Sequence, residues 1–151
     1  MKPLVRNMGL FLAFAIIALL GLMVAIRLAP SDPAVWHVDP AQEVSELPAV
    51  GGMLLGPGSA VMRLGENAAE ARDILDQLAA VARAAPRTEL LAGTPDEGRM
   101  TWVSRSKYWG FPDYTTAQVT QDGLVIYGRL RFGRSDFGVN GERLQSWASA
   151  L

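Results

Sequence analysis

The sequence predicts an α+β protein: an N-terminal transmembrane helix plus a two-layer sandwich of a mainly antiparallel four-stranded sheet and two helices. Three observations predict it. An uncharged apolar run, Met8–Ile26, lies near the N-terminus; amphipathic helical patterns occupy 67–84 and 140–151; and strand-like segments between them are joined by short turn signals.

The run from Met8 to Ile26 reads MGLFLAFAIIALLGLMVAI. As a helix it extends about 28 Å, close to the hydrocarbon thickness of a bilayer. It lacks the polar face that a buried helix of a soluble protein usually shows. No good small-x-small cleavage site follows, since a cut after Ala29 would place Arg27 three residues upstream. The expectation is therefore an uncleaved anchor whose lipid contact is residues 8–26. Lys2 and Arg6 precede the span and Arg27 closes it, a charge bias that favours a cytoplasmic N-terminus. The chain divides into an anchor (1–28), a Pro/Gly-rich tether (29–58) and an α+β domain (59–151). Pro30, Pro33, Pro40, Pro48 and Pro57 preclude a long helix or central strand in the tether. It reads as extended, with a short strand at Val35–Val38 and with Trp36 available to dock on the domain.

A helix is predicted from Asn67 to Ala84, with Asn67 as N-cap and Glu70 completing a capping-box pattern. Ala71, Ile74, Leu75, Leu78, Val81 and Ala85 form its apolar stripe, and Pro86 ends it. Strands at Thr88–Ala92 and Met100–Arg105 flank the turn signal Thr94–Gly98. Strands at Tyr114–Gln121 and Leu124–Phe132 flank Asp122-Gly123, a dipeptide favoured in type I′ hairpins. That turn pairs Gln121 with Leu124, Ala117 with Gly128, Thr116 with Arg129 and Tyr114 with Arg131. Thr115, Ala117, Val119, Leu124, Ile126 and Leu130 then share one face, opposite Tyr114, Thr116, Gln118, Tyr127, Arg129 and Arg131. A last helix begins at Asn140 as N-cap and presents Leu144, Trp147, Ala148 and Leu151 on one stripe.

Composition excludes several functions. Lys plus Arg number 14 against 15 Asp plus Glu, a net charge of -1 that argues against nucleic-acid binding. There is no cysteine, hence no thiol nucleophile, Fe–S cluster or Cys-containing zinc site, and His37 stands alone. Neither G-x-G-x-x-G nor a P-loop occurs, and no cofactor is expected.

Two loops concentrate Gly, aromatic and charged residues: Arg105–Asp113 and Gly133–Asn140. Each follows a strand running the same way, so both leave one end of the sheet. The candidate ligand-binding set there is Arg105, Asp113, Arg129, Arg131, Arg134, Ser135, Asp136 and Asn140, with Lys107 nearby. Arginine forks and free helix N–H groups suit an anion; the alternative is that the carboxylates pair with arginines to fix two tight loops. Trp109 and Phe111 either cap the core or anchor a surface. His37 beside Asp39 has acid–base chemistry, but it sits in the tether without a nucleophile elbow.

The loops resemble domain-of-unknown-function family 1499. The matching residues are Arg105-Ser106, Gly110-Phe111 and Asp113, then Arg129, Arg131, Gly133, Ser135-Asp136, Gly138-Val139-Asn140 and Arg143. Val35–Pro40 and Pro86-Arg87-Thr88 are similar to the alphaproteobacterial version. The resemblance implies an α+β domain in a Gram-negative envelope, here an inner-membrane protein with a periplasmic domain, and supplies no reaction. Many members carry an Asn-Cys pair early in the domain, so any role of that thiol is lost here. The leading functional expectation is a non-catalytic domain that binds a partner protein or a small anionic ligand. The alternatives are an envelope hydrolase or transferase using Asp113, Asp136 or His37, and an accessory subunit of a membrane complex.

Overall fold

A computed structural model describes residues 2–151, with side chains from Arg6 onward; Met1 lies outside the described residues. Helix α1 (Lys2–Leu28) contains a 23-residue stretch, Arg6–Leu28, of mean hydropathy 2.8 that is almost wholly exposed. It is long and apolar enough to cross a membrane, a property that signal sequences share.

The tether is folded. Asp32 and Asp39 each accept a hydrogen bond from the backbone N–H two residues on, at 2.9 Å, and each precedes a proline. Two single-turn helices result, α2 (Pro33–Trp36) and α3 (Pro40–Glu43). The expected strand at Val35–Val38 is thus largely a helical turn. Proline excludes a helix interior but is preorganised for the first helical position, where its missing N–H costs nothing.

The sheet has six strands rather than four, all antiparallel, in the order β1-β2-β6-β5-β4-β3. The additional hairpin, β1 (Met53–Gly56) and β2 (Ser59–Leu64), turns at Pro57-Gly58 and begins within the stretch assigned to the tether. The others are β3 (Thr88–Thr94), β4 (Arg99–Arg105), β5 (Pro112–Thr120) and β6 (Gly123–Leu130). Helices α4 (Ala68–Ala84) and α5 (Val139–Ala148) cover one face. Leu75, Leu78, Leu124, Ile126, Trp102, Leu144 and Trp147 form the core there, with the two tryptophans edge to face.

Asn67 caps α4 as expected, accepting from the N–H groups of Ala69 and Glu70 at 3.0 Å. Glu70 accepts from the Glu66 N–H rather than from that of the cap residue. The β5–β6 register differs from expectation: Thr120 pairs with Gly123, Val119 with Leu124, Ala117 with Ile126 and Tyr114 with Arg129. The turn residues are therefore Gln121 and Asp122, neither with positive φ, so the turn is not type I′. Gly123 alone carries positive φ, and a Cβ there would lie 2.3 Å from the Gly65 carbonyl oxygen. The two-residue slip keeps every side chain on its predicted face.

The second face is not solvated. Tyr114, Thr116, Val125 and Thr101 are buried beneath α2, α3 and their linker, so the head has three layers where two were expected. Trp36 stacks on Tyr114 with ring centroids 3.8 Å apart.

Candidate functional site

Strands β4 and β6 flank β5 and run antiparallel to it. The β4–β5 loop (106–111) and the β6–α5 loop (131–138) consequently leave the same end of the sheet. The Phe111 and Phe132 rings meet there at 6.1 Å.

Within this end Gly138, not Asn140, is the N-cap residue of α5, and the free N–H groups there are met by Asp136. Its carboxylate accepts from the Gly138 N–H (3.0 Å), the Asn140 N–H (2.9 Å) and the Asn140 side-chain amide (2.8 Å). Asn140 is instead a fully buried hub inside the first turn, packed against Gly128. Its side-chain oxygen accepts from Arg143 at 2.6 Å, and Arg143 pairs with Asp113 at 3.4 Å. The chain Asp136–Asn140–Arg143–Asp113 thus ties the loop, α5 and β5 together. Burial raises the Asp113 pKa, Arg143 opposes that rise, and the Asp136 charge adds to it. Burial also disfavours the Asp136 carboxylate, but its hydrogen bonds from Asn140 and Gly138 together prevail and hold its pKa below the ordinary value. Ser135 accepts from the Phe137 N–H at 3.2 Å and so shapes the same turn.

Arg129 and Arg131 project from the other face and hold the tether. Arg129 donates to the Trp36 carbonyl (3.2 Å) and pairs with Glu43 (2.7 Å), its guanidinium 4.9 Å from the Trp36 ring centroid. Arg131 donates to the Pro30 carbonyl (2.7 Å) and to the Tyr114 hydroxyl (3.1 Å), which also contacts Ser31 at 2.8 Å. Neither arginine meets Asp113 or Asp136. Arg134 is exposed and has no hydrogen-bond or ion-pair partner among the described residues.

The predicted set therefore separates into four places. Arg129 and Arg131 lie under the tether; Asp113, Ser135, Asp136 and Asn140 hold the helix start; Arg134 is exposed on its loop; and Arg105 lines a cleft. That cleft, about 400 Å³, lies between the β3–β4 ends and α5. Four cationic residues line it, Arg87, Arg105, Lys107 and Arg143, together with Thr88, Ser104, Ser106 and Ser146, and no carboxylate. Arg87 escaped the sequence-based set although the hairpin held the signal: continuing the β3–β4 pairing by one residue sets Arg87 beside Arg105. The Arg105 N–H donates to the Arg87 carbonyl at 2.9 Å, and Arg87 Nε donates to the Arg105 carbonyl at 3.1 Å. Arg143 carried a signal too, lying one helical turn beyond Asn140 and hence on the same side of α5.

The acid–base candidates fall in two places: Asp113 and Asp136 are linked through Arg143 and Asn140, and His37 lies apart from them. His37 Nδ1 contacts the Thr101 hydroxyl at 2.9 Å on the tether face, whereas Asp113 faces α5. Burial and then Arg99 lower the His37 pKa, with Glu97 partly opposing them. None of His37, Asp113 and Asp136 lines the basic cleft. Among those residues no group of three or more His, Asp or Glu is placed to hold a metal ion.

Fold and site together define an α+β head with a basic cleft, attached to an apolar N-terminal helix of membrane-crossing length. The chain belongs to the DUF1499 family, proteins of unknown function, whose sequence profile matches residues 31–151. The match includes α2 and α3, in accord with their packing on the sheet. No curated protein and no solved structure matches the chain.

Proposed function

We propose that this is a single-pass inner-membrane protein whose periplasmic head binds a small anionic ligand without catalysis. The observation that carries the reading is the cleft lined by Arg87, Arg105, Lys107, Arg143 and hydroxyl groups with no carboxylate in its lining, Arg143 also pairing with Asp113. Guanidinium forks and an ammonium beside hydroxyl donors suit phosphate or carboxylate oxygens. Ala85, Pro86, Val139 and Trp147 complete the lining and give an apolar wall, so the ligand class is an anion carrying a small apolar part. The length and apolarity of α1 support the anchor, and the charges at Lys2, Arg6 and Arg27 support the orientation.

The test is titration calorimetry of the full chain in neutral detergent micelles, with inorganic phosphate and n-butyl phosphate as separate probes. Wild type binds at least one, and n-butyl phosphate the more tightly if the apolar wall contributes. Removing two charged donors in the double variant Arg87→Gln/Lys107→Gln weakens binding by roughly tenfold or more. Unchanged affinity in a variant with wild-type circular dichroism, or no binding of either probe to wild type, refutes the proposal.

A further inference from the structure

The loop end of the head is the end from which α1 departs. Arg27, in the last turn of α1, donates to the Tyr108 carbonyl at 2.6 Å. Gly110 lies so close that a Cβ would come within 2.6 Å of Arg27 Cγ. The two loops at this end of the sheet expose large aromatic side chains: Tyr108 73%, Trp109 37%, Phe132 41% and Phe137 93%. Phe137 is the informative one. It has φ 54, a conformation disfavoured for a bulky residue, yet it touches no core. Its turn is held by hydrogen bonds from the Phe137 N–H to Ser135 and from the Gly138 N–H to Asp136. Backbone strain that presents a phenylalanine to solvent contributes nothing to packing, and such strain is characteristic of functional sites. Lys107 and Arg134 are exposed on the same two loops, while the carboxylate of Asp136 is occupied by the α5 N-terminus.

We infer that Tyr108, Trp109, Phe132 and Phe137, with Lys107 and Arg134, seat the head on the surface of the same bilayer that α1 crosses. The inference rests on the anchored reading of α1, and of the residues lining the basic cleft it uses only Lys107. Continuity with the span selects the occupant: a loop bonded to the last turn of a membrane helix lies at headgroup level. Tyrosine and tryptophan favour that level because their rings are apolar and their tips polar. Phenylalanine reaches past it, and the two cations face anionic headgroups.

The cysteine-free sequence permits a direct test by single-site spin labelling of the full chain in phosphatidylglycerol bilayers. Phe137→Cys labels the proposed seat, Asp96→Cys the opposite turn of the sheet, and Leu20→Cys the helix. Collision with an aqueous nickel complex is expected to be roughly tenfold lower at 137 than at 96, as for a site drawn from water into the headgroup boundary. In phosphatidylcholine the shielding at 137 is smaller, because the cations lose their partners; equal shielding would overturn the part given to Lys107 and Arg134. A label at 137 as water-exposed as that at 96, beside a lipid-shielded label at 20, overturns the seating and leaves the anchor standing. A water-exposed label at 20 overturns both. Shielding at 137 that disappears on dilution of protein in the bilayer marks contact between copies and also overturns the seating.

Discussion

Truncating Trp36 to alanine should release the tether from the sheet while leaving the opposite core intact. A half-buried tryptophan hides about 150 Å² of apolar surface, which at about 25 cal/mol per Å² corresponds to roughly 4 kcal/mol. Residual burial in the unfolded chain lowers that to about 3 kcal/mol. The ring also stacks on Tyr114 and lies beneath Arg129, which together add about 1 kcal/mol. Solvent refilling and relaxation of the tether recover part of the sum, so a loss of about 3 kcal/mol is expected. The loss should be local, because the main core of Leu75, Leu78, Leu124 and Ile126 lies across the sheet. Hydrogen exchange of the full chain in micelles reads it out. The His37 and Val44 amides, bonded to the Pro33 and Pro40 carbonyls, should exchange roughly 100-fold faster. Amides of α4 should change far less. If the tether amides change less than about threefold, or α4 and the tether accelerate equally, the description of the tether as a separately held layer is wrong.

Three further outcomes follow from single contacts. The Thr115 hydroxyl is buried without a hydrogen-bond partner, so Thr115→Val should be neutral or stabilising by about 1 kcal/mol in urea denaturation. Gly128→Ala places a methyl 3.0 Å from the Asn140 side-chain oxygen; a cost of about 1–3 kcal/mol is expected, with early loss of α5 exchange protection. Because the folded state lowers the pKa of His37 from 6.5, the unfolded chain binds its proton more readily. Its contribution to stability is complete above the ordinary histidine value and declines as pH falls through the lowered one. His37→Gln should remove that pH-dependent component from the denaturation midpoint.

Elements governed by local chemistry were legible in the sequence. The Asn67 cap, the stripe of α4 and the strand alternation agree with the structure because each depends on neighbours a few residues away. The β5–β6 register was less legible because the facial alternation that served as its check is unchanged by a slip of two. Pro57-Gly58 between Met53–Gly56 and Ser59–Leu64 is a hairpin signal, masked by the general density of proline and glycine over 29–58. Prolines 33 and 40 exclude a helix interior, yet each occupies a first helical position after an aspartate, which the exclusion rule alone does not reveal. The candidate site failed to stay together for a different reason. Whether an arginine is free depends on what folds onto it. Arg131 donates to Pro30, 101 residues away, and Arg129 to Trp36, 93 residues away. No local pattern reports such a partner.

These long-range bonds bear on how the head sits relative to α1. Within five residues of the helix exit, Arg27 is bonded to the Tyr108 carbonyl, the Pro30 carbonyl to Arg131, and Ser31 to the Tyr114 hydroxyl. Taking about 0.5–1 kcal/mol for each, since all lie near solvent, the three together resist release by about 2 kcal/mol. That is enough to keep the junction closed in all but a few per cent of molecules. A flexible glycine- and serine-rich spacer would instead let the head sample many orientations. The arginines that first suggested a ligand therefore act as clamps on the segment leaving α1, fixing which end of the sheet adjoins the helix. Arg87, Arg105, Lys107 and Arg143 line the cleft near that end, so the anionic ligand proposed for it would meet a head already oriented.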